Sequence, residues 1–192
     1  NAFVDHDDPA AILTRLMVGS EGTLGFVARA TLRTVPLRPH AATAFLVFDS
    51  LDRALAALPT LVDTGLAAIE VLDARALRVA QQDPAWARAL PPVAVDAHAG
   101  LLVEFGEPSA LALDERVEAG RAVVGRLATA APADFTAAAA ARADLWHARK
   151  GLYAAVAGAR PAGTTALLED VAVPVAALAE ACAGLTRLFD RH

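Results

Sequence analysis

Apolar positions along the chain recur at two periods, one typical of strands and the other of helices. Residues 42–48 form a continuous apolar run, as expected for a buried strand. Residues 67–73 and 100–106 are further strand candidates, and residues 164–174 predict a strand that ends at a proline. Residues 26–35 alternate between two faces, which predicts a half-buried strand.

Helical stripes separate these strands. Leu55 and Leu58 belong to an apolar stripe, Ser50 can cap this helix, and Pro59 is expected to kink or break it. Further helices are predicted at 9–17 with Asp8 as N-cap, 74–82, 109–128, 135–155 and 175–189.

The order of these elements indicates the fold class. After residue 41 it reads β-α-β-α-β-α-α-β-α, without the glycine-rich turns of regular βα repeats. We therefore expect an α+β fold, an antiparallel sheet with helices packed on one face, ferredoxin-like in style. The proline-rich stretch 36–40 marks a domain boundary, which divides the chain into residues 1–40 and 41–192.

Composition excludes several classes of protein. The 192 residues are 56% hydrophobic and carry a net charge of −5 without a basic stripe, which argues against nucleic acid as a partner. Cys182 is the single cysteine, so no internal disulfide can form. No apolar run reaches the roughly 20 residues of a transmembrane helix. The five histidines lack metal-ligand spacing, so no metal site is predicted.

The stretch GSEGTLGF, residues 19–26, is the main candidate for chemistry. Its glycines follow a G-x-x-G-x-x-G spacing and precede a predicted strand, whereas dinucleotide fingerprints and P-loops follow a strand and open a helix. Two interpretations remain: a tight turn, which the spacing alone favours, or backbone that approaches a ligand closely and leaves N–H groups free for anions.

These residues carry a resemblance to a known family. GSEGTLGF with the following ARATLRTVPL resembles the closing segment of the FAD-binding domain in FAD-linked oxidases of the vanillyl-alcohol oxidase superfamily. AAIEVLD, GLLVEF, LWHARKGL and LLEDVAVPVAALAE resemble, in order, the substrate or cap domain of D-lactate, glycolate and D-2-hydroxyglutarate dehydrogenases. ARPAGTTALLEDVAVP is most similar to the subgroup with a C-terminal iron–sulfur module.

The resemblance implies roles for individual residues. Arg149 matches an arginine that binds the substrate carboxylate, with Lys150 as the neighbouring alternative, although a surface arginine is the common case. No residue of the chain is expected to be catalytic. The residues that match the FAD-contacting run are Gly19, Ser20, Glu21, Gly22, Thr23 and Gly25.

The resemblance also implies a function. Residues 1–40 would be the tail of an FAD-binding domain, and residues 41–192 most of a substrate or cap domain. The chain is then expected to be a fragment, inactive and without FAD on its own, of an enzyme that oxidises a small D-2-hydroxy acid of the D-lactate or D-2-hydroxyglutarate type by hydride transfer to FAD.

The resemblance is compatible with an iron–sulfur cluster in the parent, outside this chain. We expect a cytoplasmic location, which leaves room for peripheral membrane association through the electron acceptor. The acceptor and the oligomeric state are left open. The alternative is a non-catalytic ferredoxin-like ligand-binding or regulatory domain.

Overall fold

The structure, a computed structural model, describes residues 2–82, 84, 89–165 and 171–191. It divides into two compact units, Asn1–Pro36 and Leu37–His192. The first unit contains helix α1, Pro9–Val18. The Asp8 carboxylate accepts a hydrogen bond of 2.8 Å from the backbone N–H of Ala11, so the predicted N-cap is confirmed.

The predicted strand at residues 26–35 is wrong. This segment is irregular and exposed, with Phe26 at 91% and Val35 at 85% of full exposure. Alternation creates a strand only where a second strand completes the hydrogen-bond ladder. Within the described residues, no backbone group of 26–35 has such a partner, and the pattern alone does not supply one.

The second unit contains a sheet and most of the helices. Its strands are β1 His40–Phe48, β2 Ala68–Leu72 and β3 Ala99–Glu107. Its helices are α2 Leu51–Val62, α3 Ala74–Ala80, α4 Ala110–Val124, α5 Ala139–Gly158 and α6 Leu178–Arg191, the last preceded by a 3₁₀ turn at Val175–Ala177. The three strand predictions in this unit before residue 107 are confirmed.

The sheet is antiparallel, with β3 between β1 and β2. Since both outer strands run antiparallel to β3, they are parallel to each other, and α2 connects them as a split β-α-β unit. The α+β class and the antiparallel sheet are therefore confirmed.

Helices cover both faces of this sheet, whereas the sequence predicted one covered face. Alternate residues of β1 and β3, among them Leu46, Leu101 and Phe105, pack with α2 and α4. The intervening residues, among them Phe45 and Leu102, pack with α3 and α5. Successive strand side chains point to opposite faces, so the nearly continuous apolar runs of β1 and β3 are what a doubly covered sheet requires.

Side-chain caps mark where three helices of the second unit begin. The hydroxyls of Ser50 and Ser109 and the carboxylate of Asp73 accept hydrogen bonds from the third residue beyond them. Helix α2 continues through Pro59 without a break, because burial of Leu58 and Leu61 offsets the lost hydrogen bond.

The predicted helix at 135–155 begins later, at Ala139. Thr136 instead forms an isolated two-way bridge to Thr43 of β1, with N···O distances of 2.8 and 2.9 Å. The preceding loop is tied to α4 by Arg121, whose guanidinium donates a 2.6 Å hydrogen bond to Asp134. That bond lowers the pKa of the Asp134 carboxyl and raises the pKa of Arg121.

The C-terminal predictions have a mixed outcome. The core of the strand predicted at 164–174 lies outside the described residues, and its described ends, 164–165 and 171–174, are irregular. The predicted last helix is present, and Cys182 within it is half-buried. None of the helices in the described ranges is long and apolar enough to cross a membrane.

Two helical glycines offer a test of core packing. A Cβ at Gly120 would lie 2.5 Å from the ring of Phe105, which is 1% exposed, whereas at Gly184 the nearest atom would be 3.9 Å away. We expect Gly120→Ala to lower the free energy of unfolding by about 1–2 kcal/mol, since overpacking exceeds the gain in helix propensity. Gly184→Ala should raise it by about 0.5–1 kcal/mol. Urea unfolding followed by circular dichroism measures both, and a stabilising Gly120→Ala would contradict the packing.

Candidate functional site

The sheet face beneath α5 carries two carboxylates. Glu104 lies on the central strand β3 and Glu70 on the edge strand β2. Their backbone positions are two residues apart along the ladder, because Glu104 pairs with Ala68 and Glu70 with Leu102. Both side chains therefore project from the same face, towards the helix that contains Arg149.

Glu104 is the centre of a polar cluster in an otherwise apolar layer. Its Oε2 accepts hydrogen bonds from the hydroxyl of Thr43 at 2.6 Å, the indole N–H of Trp146 at 2.7 Å and the guanidinium of Arg142 at 3.1 Å. Thr43 is fully buried, and the Glu104 side chain is 17% exposed. Three donors on one oxygen compensate for the loss of water around this charge.

Arg149 lies one helical turn beyond Trp146. Its Nε donates to Oε2 of Glu70 at 2.7 Å, and the two side chains are 47% and 32% exposed. The terminal nitrogens Nη1 and Nη2 of Arg149 have no hydrogen bond within the part of the chain that the structure describes. This edge of the guanidinium remains available for two parallel hydrogen bonds to a carboxylate.

The sequence predicted Arg149 and missed its surroundings. Arg142, Trp146 and Arg149 recur at i, i+4 and i+7, which places them on one helix face. Glu70 and Glu104 are lone acids within the apolar strands AIEVL and LLVEF. These two signals together would have indicated a charged layer between α5 and the sheet. Lys150 is exposed and makes no ion pair with a described residue.

The glycine segment forms a turn directly after α1. The N–H of Thr23 donates to the carbonyl of Ser20 at 2.9 Å, and the φ angles of Glu21 and Gly22 are +49° and +82°. Two positive φ values between the bonded residues are typical of a type I′ turn. The hydroxyls of Ser20 and Thr23 donate to the carbonyls of Met17 and Ser20, so the predicted tight turn is present.

The same turn leaves donors unused. The backbone N–H groups of Glu21, Gly22, Leu24 and Gly25 have no partner among the described residues. The turn borders an open cleft of about 850 Å³ within the first unit, whose lining includes Arg15 and Phe3. Free amides and an arginine suit phosphate oxygens, and no side chain obstructs Gly22.

No metal centre is found in the described ranges, where no group of three or more His, Cys, Asp or Glu side chains could hold an ion. Arg149 and the unused amides of the glycine turn are donors of the kind that recognise anions.

Residues 37–192 match the protein family described as FAD linked oxidases, C-terminal domain. The chain belongs to this family. The matched range includes the whole layer between α5 and the sheet, whereas the glycine turn precedes it.

Curated relatives of this FAD-linked oxidase chain are dehydrogenases by name. The chain is 33% identical over 111 residues to D-2-hydroxyglutarate dehydrogenase of Escherichia coli, a match that covers 56% of the chain and 11% of that protein. It is 30% identical over 170 residues to a protein of Danio rerio named probable mitochondrial D-lactate dehydrogenase, covering 86% of the chain and 32% of that protein. The chain thus spans a third or less of these relatives.

The first unit offers some of the donors that one wall of an FAD site would need. The amide of Leu24 and the guanidinium of Arg15 line the cleft and could donate to a pyrophosphate, whereas the Asp5 carboxylate in the same lining opposes an anion. The absence of a Cβ at Gly22 permits close approach of a ligand to the turn. The hydroxyls of Ser20 and Thr23, predicted to contact FAD, already donate within the turn. They can still accept hydrogen bonds from a ligand.

The Glu104 cluster should be a large contributor to stability. Glu104→Ala leaves the charge of Arg142 without its carboxylate and removes the acceptor of Thr43 and Trp146, so we expect the free energy of unfolding to fall by about 2–4 kcal/mol, somewhat less than for a fully buried pair. Glu107→Ala is the matched control, because its partner Arg116 is 51% exposed, and it should cost about 1 kcal/mol or less. The Glu107 side chain is itself only 14% exposed, so equal losses in urea unfolding would show that the additional donors on Glu104 add nothing to stability.

Proposed function

We propose that this chain forms the substrate-binding part of an FAD-dependent dehydrogenase that oxidises a D-2-hydroxy acid of the D-lactate or D-2-hydroxyglutarate type. The family match and the names of the relatives support an oxidoreductase of this kind. The observation that carries the proposal is the half-exposed guanidinium of Arg149, with its terminal nitrogens unoccupied, inside the matched domain.

Arg149 would bind the carboxylate of the hydroxy acid end-on through Nη1 and Nη2, a geometry that fixes the plane of the carboxylate. Helix α5 determines where that carboxylate lies, because Arg142 and Trp146 hold the helix against Glu104 of the sheet. A carboxylate held in one orientation presents the neighbouring carbon, which bears the hydroxyl, in one orientation too. Lys150 is exposed on the same helix and would add positive charge at the rim.

The chemistry that FAD would supply is acceptance of the hydride from the hydroxyl-bearing carbon. Residues 1–40 would contribute to its binding through Gly19, Ser20, Glu21, Gly22, Thr23 and Gly25, and residues 41–192 would bind the substrate. An iron–sulfur module elsewhere in the protein, as the sequence resemblance implies, would pass the electrons to an acceptor.

A tightly packed and nonpolar environment around Arg149 would favour the alternative, a regulatory domain without catalysis. The Arg149 side chain is instead 47% exposed and paired with a carboxylate. We therefore retain the dehydrogenase as the proposal. The 192-residue chain alone is expected to show neither activity nor stoichiometric flavin absorbance near 450 nm, a region typical of flavins, since relatives are several times longer than the matched stretch.

The proposed contact between the glycine turn and FAD can be tested with two glycines of similar conformation. Gly22 and Gly163 have φ angles of +82° and +84°, and a Cβ at either would meet no atom within 4 Å. Alanine at each position should therefore cost a similar backbone strain of about 1 kcal/mol. In the full-length flavoprotein, we expect Gly22→Ala to lower the FAD content measured by absorbance, because the Cβ would face the cofactor, and Gly163→Ala to retain it. Equal FAD content in both variants would remove Gly22 from the site.

The role of Arg149 can be tested by substitution with lysine in the same flavoprotein. Arg149→Lys retains the charge but not the two parallel hydrogen bonds, so KM for the hydroxy acid should rise about ten- to hundredfold with a smaller change in kcat. Lys150→Gln should change KM by a smaller factor, because the point charge at the rim makes no bidentate contact. A KM unaffected by Arg149→Lys would refute the proposed carboxylate site.

A further inference from the structure

Glu70 contacts Arg149 through a donor that end-on binding of a carboxylate leaves unused. The Nε–H of Arg149 donates to Oε2 of Glu70 at 2.7 Å, and Nη1 and Nη2 make no hydrogen bond within the described ranges. The N–H groups of a guanidinium lie in one plane. Because Glu70 holds the Nε–H, it also fixes the direction in which the edge formed by Nη1 and Nη2 points.

The sheet, not the arginine, sets the position of Glu70. Its backbone pairs with Leu102 of the central strand. Leu72, two residues further along the same strand face, is 1% exposed and packs in the apolar layer beneath α3 and α5. Glu70 thus lies on a rigid strand at the margin of that layer, with 32% of its side chain exposed.

The Arg149 side chain depends on this contact for its order. It is 47% exposed, and no other residue in the part of the chain that the structure describes accepts a hydrogen bond from its guanidinium. A long side chain that must be ordered at the moment of binding weakens the binding by about two- to tenfold. An arginine that is already ordered avoids this loss.

We propose that Glu70 is a positioning residue for the substrate site, which orders the Arg149 guanidinium in advance and directs its Nη1–Nη2 edge towards the ligand carboxylate. The inference rests on the proposed function, because it requires that Arg149 binds the substrate. Glu70 contributes a fixed acceptor oxygen for the Nε–H. The role is the same for any 2-hydroxy acid, since each has a carboxylate next to the hydroxyl-bearing carbon.

The test compares Glu70→Gln with Glu70→Leu in the full-length flavoprotein, with D-lactate and with D-2-hydroxyglutarate. Both variants remove the same charge and leave every other charge, that of Lys150 included, unchanged. Only glutamine retains an oxygen that can accept from the Nε–H. KM should therefore be about three- to tenfold higher in Glu70→Leu than in Glu70→Gln, with a smaller difference in kcat, because the bound arginine is ordered in both.

Two controls separate positioning from a structural role. Glu70→Gln and Glu70→Leu should unfold at similar urea concentrations, because an exposed ion pair contributes little to stability. Glu107 likewise accepts from the Nε of an arginine, Arg116, at 3.1 Å, but it projects from the opposite face of the sheet. Glu107→Gln and Glu107→Leu should therefore have equal KM values.

The same comparison in an Arg149→Lys background shows whether Glu70 acts through Arg149. Lysine has no planar fork to orient, so the difference in KM between Glu70→Leu and Glu70→Gln should largely disappear. A difference that persists there, or equal KM values for the two variants with Arg149 present, would overturn the inference. The binding site itself would still be supported by a raised KM in Arg149→Lys alone. If Arg149→Lys leaves KM unchanged, the proposed function fails as well.

Discussion

The position of α5 depends on one largely buried charge, the carboxylate of Glu104. It lies on the central strand of a sheet that is covered on both faces, where an unpaired carboxylate would be strongly destabilising. Thr43 from β1 and Arg142 and Trp146 from α5 donate to it. These contacts join two strands and one helix at a single oxygen, and they determine which face of α5 is directed towards the sheet.

The position of the Arg149 side chain follows from that arrangement. Because it lies seven residues after Arg142, it is on the same helix face and meets the next carboxylate, Glu70, on the neighbouring strand. The two pairs differ in exposure, and the difference separates their roles. The inner pair lies among apolar side chains and holds the helix, whereas the outer pair is accessible and retains two unused donors.

The two faces of the sheet have correspondingly different chemistry. The layer of α2 and α4 is apolar, and a glycine in α4 allows the rings of Phe105 and Phe135 to lie close to the helix, 5.1 Å apart between centroids. The layer of α3 and α5 combines apolar packing with the charged cluster. The charged side chains of both pairs thus lie on rigid elements, one helix and two strands.

The amino-acid sequence by itself predicted the three strands of the second unit and the helices between them, because helix stripes, serine and aspartate caps and apolar strand runs act over a few neighbouring residues. It placed the start of α5 too early, because the bridge of Thr136 to Thr43 is a tertiary contact. It also indicated the family through the GSEGTLGF turn and the short stretches after it. The strand that the sequence predicted at residues 26–35 is wrong, because a strand forms only where a neighbouring strand supplies hydrogen-bond partners. Only the tertiary structure decided that both sheet faces are covered, and that Glu70 and Glu104, 34 residues apart, face Arg149 and Arg142 of one helix. Such pairs depend on strand register and helix rotation together, which no local pattern encodes.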